Sequence, residues 1–396
     1  MVRTNPSSVD RREFVRLGGV SVGILLAGLD QLGLAAFVNA QNTDAFAGGK
    51  RLGTVDFVDE GRPMMDVSVG EELDGRLFTD LTGMDLAERV TPTEKFYVRT
   101  RGSKLLPEQK SWTVKIDGLV ESPSTLSLVQ LTRRAKPVGQ HLMECAGNAR
   151  FAHYGLISVA NWVGVPLADI LDGVRARPEA KRLLISGFDQ YQTQSTSSVA
   201  GASWIFLPEE LKSAGAFLAT AMNEQSLAVD HGAPVRLVVP GWYGCTCIKW
   251  VDTITLVDND AEATSQMREY AARTHQSGVP ALAKDYAPAA IDQAAMPIRV
   301  EKWLVGGKIK YRVVGILWGG TQPIRVLQIR FNPEEDYVAV GEFRQRGNDP
   351  WSFWTHAWSP KSPGTFSIRL LVKDPPVRTR RLDSGYYVRT VEISEI

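Results

Sequence analysis

Along Trp112-Thr-Val-Lys-Ile-Asp-Gly118, apolar and polar positions alternate with the two-residue period of a half-buried strand, and the run closes on a turn glycine. Arg182-Leu-Leu-Ile-Ser-Gly187 and Val235-Arg-Leu-Val-Val-Pro240 are short apolar runs with a turn former at the end, which predicts buried strands. Between them the period lengthens. Pro166-Leu-Ala-Asp-Ile-Leu171 carries proline in a first helical turn, and Glu209 to Met222 places apolar residues at helical spacing. Residues 41–110, rich in Gly, Asp, Arg and Pro, predict loops and brief strands wrapped around another element. After the Pro/Ala-rich stretch Tyr286 to Pro297, helical patterning fades. Lys308 to Leu317, Ile324 to Phe331, Gly364 to Leu371 and Tyr386 to Ile393 then recur with turn residues between them, the rhythm of a small β-sandwich. The expectation is an α+β chain with a boundary near residue 290: a mixed α/β domain over 41–289 and a sandwich over 290–396.

The N-terminal pattern is of another kind. Residues 10–16 read Asp-Arg-Arg-Glu-Phe-Val-Arg and lead into the apolar stretch LGGVSVGILLAGL, the pattern of a twin-arginine export signal. A membrane span needs ~20 uninterrupted apolar residues, and Asp30-Gln31 interrupts this stretch well short of that. Small residues near Ala40 suit a signal peptidase, so residues 1–40 are expected to be a signal peptide and the mature protein periplasmic, with no membrane association after cleavage. Twin-arginine export carries folded proteins, which points to a cofactor assembled beforehand.

Composition narrows the partners. With 45 basic and 44 acidic residues the net charge is +1, and no basic run or basic-aromatic stripe recommends nucleic acid or an acidic membrane surface. The cysteines are Cys145, Cys245 and Cys247, and a bridge within Cys245-Thr-Cys247 would be strained, so stability must come from the core. The chain has no Cys-x-x-Cys-His haem site, no Gly-x-Gly-x-x-Gly fingerprint and no P-loop, which sets haem c, NAD and nucleoside triphosphates aside.

Three runs carry candidate chemistry. Cys145 is followed by Ala146-Gly147-Asn148, small and turn-forming residues that let backbone approach a bulky ligand; the thiol there is either a metal ligand or an inert core group. In Asp230-His-Gly-Ala-Pro-Val-Arg236, His231 and Arg236 precede a buried-looking strand, a turn able to hold phosphate. Pro240 to Trp250 is a glycine-loosened loop in which Lys249 adds a third cation.

Together these runs resemble the sulfite oxidase family of molybdopterin enzymes, from about residue 90 to 395. The motif Cys-Ala-Gly-Asn stands at Cys145 to Asn148, the helix start W-x-G-V-x-L-x-D-x-L at Trp162 to Leu171, M-N-x-x-x-L-x-x-D-H-G-x-P-V-R at Met222 to Arg236, and P-G-x-x-G-x-x-x-x-K-W at Pro240 to Trp250. The resemblance implies that Cys145 is the sole protein ligand of a molybdenum-molybdopterin cofactor, with no haem in this chain. It implies that Tyr97, Arg101, Asp189, His231, Arg236, Cys247, Ile248 and Lys249 hold the pterin and its phosphate. It further implies that Arg99 and Arg150 grip a sulfur oxyanion while Tyr270 serves as the active-site tyrosine, a role that planar guanidinium donors suit. The implied reaction is sulfite to sulfate by oxygen-atom transfer, with electrons passing to an external acceptor, a c-type cytochrome, because no cytochrome b5-like segment is present. The C-terminal sandwich corresponds to the family's immunoglobulin-like dimerisation domain and implies a homodimer, although its aromatic cluster Trp351, Phe353, Trp354 and Trp358 suits a sandwich core equally.

The chain departs from the family in two places. Arg99-Thr100-Arg101 stands where many members have Arg-Asn-His, which leaves Arg101 to replace a histidine contact. Phe151, His153 and Tyr154 occupy the region of a pocket tryptophan. Two other readings remain: an S-oxide reductase on the same cofactor, and a cofactor-free periplasmic binding module.

Overall fold

The computed structural model describes residues 45–58, 76–102, 106–188, 202–343 and 349–396. The expected signal peptide and Asp189 lie outside these residues.

The predicted strand at residue 112 runs from Thr113–Gly118 with alternating burial, and it pairs in parallel with Val251–Val257. Arg182–Gly187 is a strand on the other side of Val251–Val257, antiparallel to it. With Ser124–Ser127 and Ser203–Phe206 at the edges these make one five-stranded sheet. A second sheet joins Lys136–Glu144, Ile157–Pro166, Phe217–Met222 and Arg236–Val238, all antiparallel, with the two-residue strand Gln225–Ser226 at its side. Leu167–Leu171 is the helix expected at Pro166, with Leu167 and Ile170 buried.

The helix expected over Glu209 to Met222 is half right. It runs only from Pro208–Ala214, where Gly215 at φ +66° turns its N–H back onto Leu211 and Lys212. Phe217–Met222 is instead a central strand between Ile157–Pro166 and Arg236–Val238. A left-handed glycine ends a helix at no steric cost, and tertiary pairing then sets the conformation of the apolar residues that follow.

The β-rich remainder holds two antiparallel sheets. One orders Lys50–Val55, Ala294–Val305, Lys308–Trp318, Trp351–Trp358 and Glu342–Phe343; the other orders Val338–Ala339, Val326–Arg330, Gly364–Asp374 and Arg389–Ile393. Ala294–Val305, a twelve-residue strand, begins inside the Pro/Ala-rich stretch. Lys50–Val55 is drawn from the N-terminal region and pairs with it. Trp351, Trp354 and Trp358 are buried inside the chain. Trp358 stacks on Phe331 at 4.2 Å and meets Phe366 edge-on at 4.9 Å, which ties one sheet to the other. Among the described residues no helix is long and apolar enough to cross a membrane.

Candidate active site

The second sheet delivers Cys145. Its strand Lys136–Glu144 ends one residue before it, the Cys145 N–H bonds to Leu156 O, and the Asn148 N–H closes a turn on Cys145 O at 2.9 Å. Cys145 is buried, 5% exposed, and its sulfur accepts the Gly147 N–H at 3.3 Å. It nonetheless faces a cavity of about 110 Å3. Tyr97, Arg99, Cys247, Ile248, Lys249 and Tyr270 share that cavity with it.

Cys245 also lines the cavity, and all three cysteines are free thiols. Burial, then the neighbouring Cys145, pushes the Cys245 thiol well above its ordinary range, and burial pushes Cys247 up as well. Both are therefore neutral. Burial first, with Cys145 adding to it and Arg99 opposing, likewise raises Tyr270, which stays a neutral phenol able to donate a hydrogen bond.

Tyr270 ends the helix Ser265–Tyr270, whose N-cap Thr264 accepts the Met267 N–H at 3.2 Å. Gly244 sits so close to Tyr97 that an added Cβ would stand 2.6 Å from its hydroxyl, so the loop can pass beneath the cavity only as glycine. Gly232, at φ +99°, brings the Asp230-His231 turn against Lys249, whose ammonium donates to Thr100 O and, at 2.8 Å, to Asp230 O.

His231 and Arg236 lie behind this wall. Arg236 is buried, donating to His231 O at 3.0 Å and Cys247 O at 3.1 Å, while its Nε has no partner among the described residues. His231 Nε2 pairs with Thr93 O at 3.2 Å, and burial, then Arg236 and Lys249, pushes it down to about 4, so it is neutral at pH 7. Arg101 is exposed and does not line the cavity.

Arg99 opens onto a second, wider chamber of about 550 Å3 that also reaches Ala146 and Gly147. Arg150, expected there, turns its guanidinium to Val388 O at 3.2 Å. Phe151 does line it, whereas Tyr154 is buried beneath and bonds to Tyr386 O.

Sequence reasoning missed Arg76, Arg273, His275 and Arg381 on this wall, and Glu144 under it. Glu144 is fully buried. It accepts from Trp318 Nε1 at 2.8 Å, Tyr387 OH at 3.3 Å and Asn148 Nδ2 at 3.4 Å, with Arg381 Nη1 at 3.6 Å. Arg381 Nη2 binds Ala146 O at 2.8 Å, and Tyr386 OH binds Asn148 O at 2.6 Å. The cysteine loop is thus held from below by the β-rich region. No sequence signal marks these residues beyond Glu144 adjoining Cys145.

The donor set suits a pterin-bound metal. It offers one thiol on a cavity, a glycine-formed floor, a Lys249 ammonium on the wall and an orphaned buried Nε on Arg236 behind it. Residues 103–265 match the family described as oxidoreductase molybdopterin binding domain. The matched stretch, which carries Cys145, His231, Arg236 and Lys249, is of that molybdopterin-binding oxidoreductase family. The chain is 31% identical to mitochondrial sulfite oxidase of Drosophila melanogaster over 200 residues, 47% of this chain and 34% of that protein. It is 30% identical to the NADPH nitrate reductase of Emericella nidulans over 187 residues, 43% of this chain and 21% of that protein. These matches thus span about a fifth to a third of each relative's length. The sulfane dehydrogenase SoxCD of Paracoccus pantotrophus shares the fold, with a TM-score of 0.63 at 20% identity, covering 89% of this chain and 95% of that one. The chain therefore carries a molybdopterin-binding oxidoreductase domain within a mixed α/β architecture that has a β-rich C-terminal region.

Proposed function

We propose that the protein is an exported, periplasmic sulfite dehydrogenase that forms sulfate and passes electrons to an external c-type cytochrome. The observation that carries this reading is Arg99, which lines both the Cys145 cavity and the cation-walled chamber beside it. An anion held there has its charge met by a planar fork and its reacting atom turned toward the thiol-bearing cavity. When bound, the pterin-held molybdenum supplies two-electron redox chemistry and oxygen-atom transfer.

In this reading Cys145 is the metal's protein ligand, and Tyr97, Cys247, Ile248 and Lys249 cradle the pterin, with Arg236 and His231 behind them; Asp189 and Arg101 also hold the cofactor. Tyr270, kept protonated, donates a hydrogen bond into the reacting site. Arg150 swings from Val388 to join Arg99 when an anion enters. The C-terminal region is an immunoglobulin-like sandwich through which two copies pair, and sedimentation of the purified protein at micromolar concentration is expected to give a dimer.

The test is steady-state oxidation of sulfite by the cofactor-loaded protein, first with ferricyanide and then with cytochrome c. Arg99→Gln is expected to raise KM for sulfite about tenfold or more, since a lost charge-assisted contact is worth ~1.5–3 kcal/mol. An unchanged KM would move the substrate elsewhere. Because nitrate reductases match the chain as well as sulfite oxidases do, the same preparation is assayed for nitrate and methionine sulfoxide reduction with a reduced viologen donor. Faster reduction than sulfite oxidation would overturn the proposal.

A further inference from the structure

The chamber beyond Arg99 is larger and more apolar than a bare oxyanion needs. It encloses about 550 Å3, against about 110 Å3 around Cys145. Arg76, Arg99, Arg273 and Arg381 are its charged residues, and no acid is among the described residues that line it. Arg381 is paired behind the wall with Glu144 at 3.6 Å, so the positive field that draws an anion comes chiefly from Arg76, Arg99 and Arg273.

The cations converge on the cysteine end. Arg381 is pinned there between the Tyr243 and Tyr386 rings, at 4.7 and 5.2 Å, while its Nη2 binds Ala146 O and Arg273 O. Arg273 lies over the Tyr270 ring at 5.3 Å, and a Cβ added at Gly147 would stand 3.7 Å from both its Nη1 and the Cys145 sulfur. Apart from the His275 imidazole and the Ala146-Gly147 backbone, the rest of the wall is hydrocarbon: Ala149, Phe151, Leu156, Ala272 and the Tyr386 ring. Phe151 is 47% exposed although its ring is large and apolar. An exposed aromatic on the wall of a cationic chamber matches a ligand that is charged at one end and apolar at the other.

We propose that this chamber binds an anion carrying an apolar substituent, an organosulfur oxyanion of the alkane- or arenesulfinate class. The charged head sits at Arg99, Arg273 and Arg381, and the hydrocarbon lies against Phe151, Ala149 and Leu156. The inference rests on the reading above only in taking the Cys145 cavity as the reacting centre.

Redox-inert probes test it on the purified, cofactor-loaded chain by titration calorimetry at constant ionic strength. Benzenesulfonate is expected to bind at least about tenfold more tightly than methanesulfonate or sulfate, the increment for burying much of a ring. Neutral benzenesulfonamide is expected to bind more weakly than benzenesulfonate. Phe151→Ala, a change at an exposed side chain that the fold tolerates, reduces the tenfold preference to about twofold, whereas Arg273→Gln weakens all three anions alike. Equal affinity for sulfate and benzenesulfonate, or a preference that survives Phe151→Ala, overturns the proposal. A protein that oxidises neither sulfite nor benzenesulfinate with ferricyanide yet keeps the preference sinks the redox reading alone. One that oxidises sulfite and shows no preference sinks this inference alone.

Discussion

Cys145 combines burial with access because its own turn presses the sulfur toward Gly147 while the glycine-lined loop opposite leaves a void in front of it. Replacing it by serine removes a thiol from a cavity wall rather than from packed hydrocarbon. Cys145→Ser is therefore expected to retain the fold, with a thermal midpoint within a few degrees of the parent, while molybdenum content measured by mass spectrometry falls at least tenfold. His231 gives a pH dependence of definite sign. Its folded value of about 4 lies below the ordinary 6.5, so the folded state binds fewer protons than the unfolded one between those limits. Stability is full above pH 6.5 and is lost as the pH falls toward 4, by on the order of 2–3 kcal/mol. Urea titrations of cofactor-free protein from pH 7.5 to 4.5 should show this loss, and His231→Gln should flatten it. Cys145, Arg99, Lys249 and Tyr270 were legible in the sequence because each sits in a local motif whose neighbours identify it. Arg381 was not, since it meets Ala146 across 235 positions and nothing beside it announces the contact.

At the scale of elements, the cysteine loop is only as rigid as the carboxylate under it. Burial raises the Glu144 pKa against the opposing pull of Arg381 and the Trp318, Asn148 and Tyr387 bonds, so the group gains little from its charge and much from its shape. Glu144→Gln keeps most of those partners and is expected to cost about 1 kcal/mol. Glu144→Ala leaves Arg381 facing an apolar void and is expected to cost ~3–5 kcal/mol in chemical denaturation. A parallel case is Gly315 in Lys308–Trp318, where an added Cβ would stand 2.0 Å from the Trp354 ring and 2.5 Å from Met296 O. Gly315→Ala is expected to destabilise by ~1–3 kcal/mol or more, because neither ring nor strand backbone can retreat. Two elements misled sequence reading. The apolar run after Gly215 fits a helix and a strand equally well by spacing, and its strand partners decided it. The strand Ala294–Val305 was hidden because its first residues, Ala-Ala-Met-Pro, have low strand propensity and are held by pairing with Lys308–Trp318.

Across the whole molecule, the β-rich region is part of the site. Trp318, Arg381, Tyr386 and Tyr387 all reach the cysteine loop or Glu144 at its start. A chain ended at residue 378 is therefore expected to lose molybdenum binding even where it folds, and a separately purified fragment of residues 41–289 should show the same defect by metal analysis. Retention of stoichiometric molybdenum in either would mean that the loop holds itself. Of the aromatic cluster that suited an interface or a core, Trp351, Trp354 and Trp358 are buried within one chain, while Phe353 is half-buried.

What the sequence determined by itself was whatever short-range chemistry specifies: strand and helix periods, glycine turns, the cysteine and its motif neighbours, and hence the molybdopterin-binding domain. What only the tertiary structure decided was which distant side chains converge: the four arginines of the chamber, the carboxylate beneath the thiol, and the strand identity of residues 217–222. The division has a physical cause, because periodicity and motif spacing are properties of neighbours along the chain, whereas pairing, burial and electrostatic clustering depend on separations that folding alone removes.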